Sequence, residues 1–97
     1  MEDSTLFVIR LTQQRPFTKE IVAAHVAHLR RLDDDGRLVL AGPLSGDPPG
    51  GLIVIRAGSE REARSVAEAD PFVSEGFEEL ELRSLTRACR ENGYLLG

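Results

Sequence analysis

Apolar residues fall in four short dense runs separated by two longer segments of helical spacing. The first run, Thr5 to Leu11, reads Thr-Leu-Phe-Val-Ile-Arg-Leu and is rich in strand formers. Gln13 to Pro16 is polar and ends in proline, which predicts a loop. Thr18 is a good N-cap for the next segment, with Phe17 and Val22 at the spacing of a hydrophobic staple. The helix it opens should run to about Asp35, where Gly36 offers a left-handed C-cap. Arg37 to Leu44 is a second strand ended by Gly42-Pro43, and Ser45 to Gly51 has turn chemistry. Leu52 to Arg56 is a third strand. Ser59 and Glu62 form a capping box that opens a second helix, which Asp70-Pro71 should close. Phe77 to Leu85 is a fourth strand, with Leu80 and Leu82 on one face and Glu79, Glu81 and Arg83 on the other. The tail from Thr86 to Gly97 carries little pattern.

The order βαββαβ with right-handed crossovers predicts an α+β, ferredoxin-like fold: a four-stranded antiparallel sheet with both helices on one face. The strands are apolar on both sides. Phe7, Ile9 and Leu11 oppose Leu6 and Val8, and Leu52 and Val54 oppose Ile53 and Ile55. Two helices cover one face only. A second copy of the sheet, related by a two-fold axis, is the simplest cover for the other, so a homodimer is expected.

Length and composition narrow the class. Ninety-seven residues suit one domain, with a core over about 5–85 and a tail over 86–97. A chain that is 41 % hydrophobic and 29 % charged reads as an ordinary folded domain. A net charge of -4 and the lack of tryptophan speak against nucleic-acid binding. No apolar run has the roughly 20 residues of a membrane span, and the acidic start Met1-Glu2-Asp3-Ser4 is no signal peptide. A single cysteine, Cys89, allows no internal disulfide, and the cytosol is the expected compartment.

Candidate chemistry is sparse. At 100° per residue, Val22, His25, Leu29 and Leu32 fall with Ile21 on one arc of the first helix. His25 sits near the middle of that arc and should face the sheet. It reads either as a core histidine or as a proton-transfer group, because imidazole titrates near neutral pH. His28 lies at the arc's edge, where a solvent-edge position is favoured over a second ligand. Asp70 continues the inner stripe of Ala63, Val66 and Ala67. It can cap a turn that begins at Pro71, or it can orient and charge a histidine. Asp33, Asp34 and Asp35 read as a hydrated helix end in preference to a metal site. Ser45 has no nucleophile elbow around it, the glycines form no phosphate loop, and Cys89 reads as incidental. No metal set and no cofactor motif is visible.

Taken together, these pieces resemble the YCII-related (YciI-like) family of the dimeric α/β-barrel superfamily. The matching pieces are His25 with Leu29 and Leu32, Gly36-Arg37-Leu38, and Ala41-Gly42-Pro43-Leu44. Gly51-Leu52-Ile53-Val54-Ile55, Glu62-Ala63-Arg64 and Ala69-Asp70-Pro71-Phe72 come next in order, then Gly76 and Glu78. The resemblance implies the ferredoxin-like fold, a dimer, and a site on one histidine and one aspartate. The family histidine stands about eleven residues before the helix-ending glycine, which selects His25 over His28, and the aspartate of Asp-Pro-Phe is Asp70. Where the family often has arginine and proline before the histidine, this chain has Val22-Ala23-Ala24. One branch of the family resembles dehydrochlorinases of chlorinated hydroxyquinols. The expected function is therefore acid–base chemistry of lyase or isomerase type on a small organic ligand. His25 and Asp70 would be catalytic, and Gly42, Pro43, Leu44, Ser45 and Phe72 would line the pocket, with no cofactor. The rival is a non-catalytic ligand-binding or sensing module.

Overall fold

The computed structural model describes residues 5–96. Its elements are β1 (Thr5–Gln13), α1 (Lys19–Asp34), β2 (Leu38–Leu44), β3 (Gly50–Ile55), α2 (Glu60–Glu68), α3 (Pro71–Ser74) and β4 (Glu78–Thr86), with a short 3-10 segment over Arg90–Leu95 at the end. The strands form one sheet in the order β2-β3-β1-β4, with every neighbour antiparallel. This is the α+β arrangement expected from the element order. Among the described residues no helix is long and apolar enough to cross a membrane.

Local chemistry explains the helix boundaries. Thr18 caps α1 by accepting a hydrogen bond from the Ile21 amide at 3.1 Å. Gly36 takes a φ of 74°, the left-handed turn that stops α1. Ser59 caps α2 through the Glu62 amide, and the Glu62 carboxylate reaches back to the Gly58 amide. The staple expected of Phe17 is replaced by a stack on Phe72, with ring centroids 4.3 Å apart, and Val22 is exposed.

The core lies between the helices and one face of the sheet. Phe7, Ile9 and Leu11 of β1 and Ile53 and Ile55 of β3 meet Ile21 and Leu32 of α1 and Ala63, Val66 and Ala67 of α2. By strand alternation, Leu6, Val8, Leu40, Val54 and Leu85 belong to the other face. Leu40 and Leu85 there are 52 % and 44 % exposed.

Several boundaries differ from the sequence reading. β1 runs on to Gln13 and β3 begins at Gly50, because those ends pair with each other across the sheet: Thr12 stands opposite Gly50. The inward segment after α2 is a separate short helix, with Asp70 as its cap and Pro71 in its first turn. The tail also contains helical turns, and Tyr94, Leu95 and Leu96 on it are exposed.

Candidate functional site

A cleft of about 260 Å³ opens between α1, α3 and one end of the sheet. Leu11, Phe17, Leu29, Leu52 and Ile53 give it apolar walls, and Ala41, Gly42, Pro43, Gly50 and Gly51 bring backbone close to it. Its polar groups are His25 and Glu78.

His25 and Asp70 come from segments 45 residues apart and meet at 2.9 Å, Nδ1 to Oδ1. The His25 side chain is 15 % exposed and that of Asp70 2 %. The same Asp70 oxygen accepts the Phe72 amide, also at 2.9 Å. The two roles read for Asp70, turn cap and histidine partner, are thus held together by one atom. A carboxylate only accepts, so the neutral imidazole must carry its proton on Nδ1 to make this contact. Nε2 is then left bare. The arrangement leaves a base held in orientation beside an apolar cleft.

Packing fixes the imidazole plane. The His25 ring stacks on Phe72 with centroids 3.9 Å apart and planes at 14°. Phe17 stacks on the same phenyl ring, at the same interplanar angle. Phe72, read as pocket lining, therefore also aligns the histidine. Gly42 and Pro43 line the cleft as expected, whereas Leu44 and Ser45 are not among its walls. Leu44 is the last residue of β2 and Ser45 is exposed in the turn beyond it, so both lie past the cleft's edge.

His28 corrects the sequence reading: it is buried, not at the solvent edge. The buried line on α1 is Ile21, His28 and Leu32, with Val22 outside it. The inward arc is rotated away from Val22, so it includes His28 about 20° on the far side of Ile21. Burial lowers the His28 pKa, His25 and Arg31 add repulsion, and Asp70 opposes the shift.

Glu78 enters the sequence reading only as part of the family match, with no role assigned to it. It is 4 % exposed, and burial raises its pKa against the attraction of His25, with Asp70 adding to the rise. A signal was present. Glu78 shares the strand parity of Leu80 and Leu82, so it continues the inward stripe by one step. Among the described residues no group of three or more potential ligands is placed to hold a metal ion, and Asp33, Asp34 and Asp35 are exposed at the end of α1.

Known proteins share this sequence pattern and this fold. The family model of the YCII-related domain matches residues 6–86. The uncharacterized protein YjpA of Bacillus subtilis (strain 168) is 43 % identical over 67 residues, which are 69 % of this chain and 78 % of YjpA. Protein YciI of Escherichia coli O6:H1 (strain CFT073) is 38 % identical over an alignment of 65 residues that covers 58 % of this chain and 66 % of that relative. Among solved structures, 5-chloro-2-hydroxyhydroquinone dehydrochlorinase (TftG) of Burkholderia phenoliruptrix AC1100, in complex with 2,5-dihydroxybenzoquinone, superposes with a TM-score of 0.62 at 24 % identity. That match covers 80 % of this chain and 90 % of TftG, and it concerns the fold.

Proposed function

This chain belongs to the YCII-related family, and from that premise we propose that it is a small acid–base enzyme, a lyase of dehydrochlorinase type, with His25 as the proton carrier. The observation that carries the reading is the 2.9 Å contact between His25 and Asp70 at an apolar cleft. The pair supplies a base, an orienting carboxylate and a dry wall, which is enough for proton transfer and for little else. The fold shared with TftG favours a chlorinated hydroxyquinol as the first substrate to test.

In that reaction Nε2 takes a hydroxyl proton and returns it to the ring carbon that bears chlorine. A second hydroxyl then gives its proton to Nε2, its electrons close the quinone, and chloride leaves with the C–Cl pair. The net change is loss of HCl, with no external oxidant or reductant. Asp70 steadies the imidazolium formed in each transfer. The test is chloride release from 5-chloro-2-hydroxyhydroquinone by wild type beside His25→Ala. Release by wild type alone supports the enzyme, and equal rates with and without protein remove it. Binding of the hydroxyquinol with no release by either protein would favour the sensing module.

The functional unit is proposed to be a homodimer in the cytosol, one domain per chain, joined through the sheet face that the helices leave open. On that face Leu40 and Leu85 are large apolar side chains left exposed in the single chain. Light scattering at micromolar concentration should return twice the 10.7 kDa chain mass. A stable monomer would contradict the face count, since Leu40 and Leu85 would then stay in water.

A further inference from the structure

Glu78 stands at the first position of β4 and lines the cleft beside His25. It is more than nine-tenths buried, and among the described residues its carboxyl makes no hydrogen bond or ion pair. Burial makes a charged carboxylate costly here, and the side chain stands at the cleft wall. Leu80 and Leu82, the next residues of the same stripe, pack against the core at no such cost. Nothing in the folding of β4 calls for an acid at this place, so the use of Glu78 is sought in the cleft.

The cleft defines what that use can be. An apolar cavity of about 150 Å³ holds benzene. A space of about 260 Å³ therefore takes one ring with its substituents. The His25 and Phe72 rings offer a flat wall, and the bare Nε2 of His25 offers one acceptor. We propose that Glu78 is a ligand-holding residue of this cleft, whose carboxyl takes a hydrogen bond from a hydroxyl or amine of a flat, single-ring ligand while a second donor of that ligand reaches His25. The inference rests on the reading of His25 as a base facing the cleft, and it adds the ligand class: one ring with two separated donors.

The charged groups that act on Glu78 are His25 from α1 and Asp70 from the cap of α3. Burial is the larger influence and holds the carboxyl above the usual carboxylate range. A group whose folded pKa is raised binds its proton more tightly in the fold. Wild type therefore loses stability as pH rises from the unfolded value through the folded one. Glu78→Leu removes that loss. In the full chain, its thermal midpoint should exceed wild type by about 4–8 °C in neutral and alkaline buffer, and the gain should shrink in acid. A midpoint below wild type at every pH overturns the proposal, because Glu78 would then support the fold.

Binding supplies the second arm, with hydroquinone and 4-fluorophenol as probes under argon, tracked by backbone amide shifts. They have nearly the same shape and differ by one donor. Wild type should bind hydroquinone about tenfold tighter or more, and Glu78→Leu should bind the two within about twofold of each other. Failure of wild type to bind hydroquinone, or a preference that survives Glu78→Leu, overturns the role of Glu78. The two readings fail separately. A preference lost in Glu78→Leu alongside no chloride release in wild type removes the base and keeps Glu78. Chloride release with a preference indifferent to residue 78 does the reverse.

Discussion

His25→Ala is expected to lower kcat by a factor of about 10²–10⁴, the range for losing a positioned acid–base group. The fold should survive the change. His25 is partly exposed and lies outside the buried core, but the substitution also leaves the buried Asp70 carboxyl with the Phe72 amide as its one remaining partner, so a loss of stability should accompany the loss of activity. Far-ultraviolet circular dichroism and the assembly state should match wild type while chloride release falls. Asp70→Asn should lose activity on a comparable scale, because asparagine still caps α3 but no longer holds the proton on Nδ1. A His25→Ala protein with wild-type turnover would place the chemistry elsewhere.

The largest stability effect should come from a residue without a side chain. Gly50 starts β3 where the strand crosses close to β1, and a Cβ there would run into the Leu11 carbonyl oxygen. That atom is backbone in a paired strand, so it cannot turn aside. Gly50→Ala should destabilise the domain by about 3 kcal/mol, a large share of what holds a chain this size together. Gly51→Ala is the matched control, because its Cβ would meet the Gly42 carbonyl at an ordinary 3.5 Å. Urea denaturation of the two variants measures the difference. Equal midpoints would show that the strands part easily at this crossing. Gly42, Gly50 and Gly51 all line the cleft, so the close approach that forbids a Cβ at Gly50 also shapes the ligand space.

Much of this was legible in the residues because each signal was local. Thr18, Gly36 and the Ser59–Glu62 pair mark helix ends through hydrogen bonds that span three or four residues. The alternation of Phe7, Ile9 and Leu11 against Leu6 and Val8 assigns faces without knowledge of any partner. His25 and Asp70 could be brought to one region because both lie on inward stripes. What escaped depends on tertiary placement. The rotation of α1 about its axis decides between Val22 and His28, and a stripe of mixed residues fixes that angle only loosely. Glu78 was hidden by its type. An acid at a strand's start reads as solvated until the cleft beside it is seen. Leu44 and Ser45 were placed in the pocket with the Gly-Pro turn, but the cleft ends one residue earlier.

Asp70 is expected to hold His25 through Nδ1 and to leave Nε2 bare towards the cleft. The most direct test is the tautomer of the neutral His25 ring, read from nitrogen-15 shifts and two-bond ring couplings in uniformly labelled protein. Wild type should carry the proton on Nδ1, and Asp70→Asn should lose that preference, because its amide can donate where the carboxylate could not. A proton on Nε2 in wild type, or the same tautomer in both proteins, would contradict that arrangement.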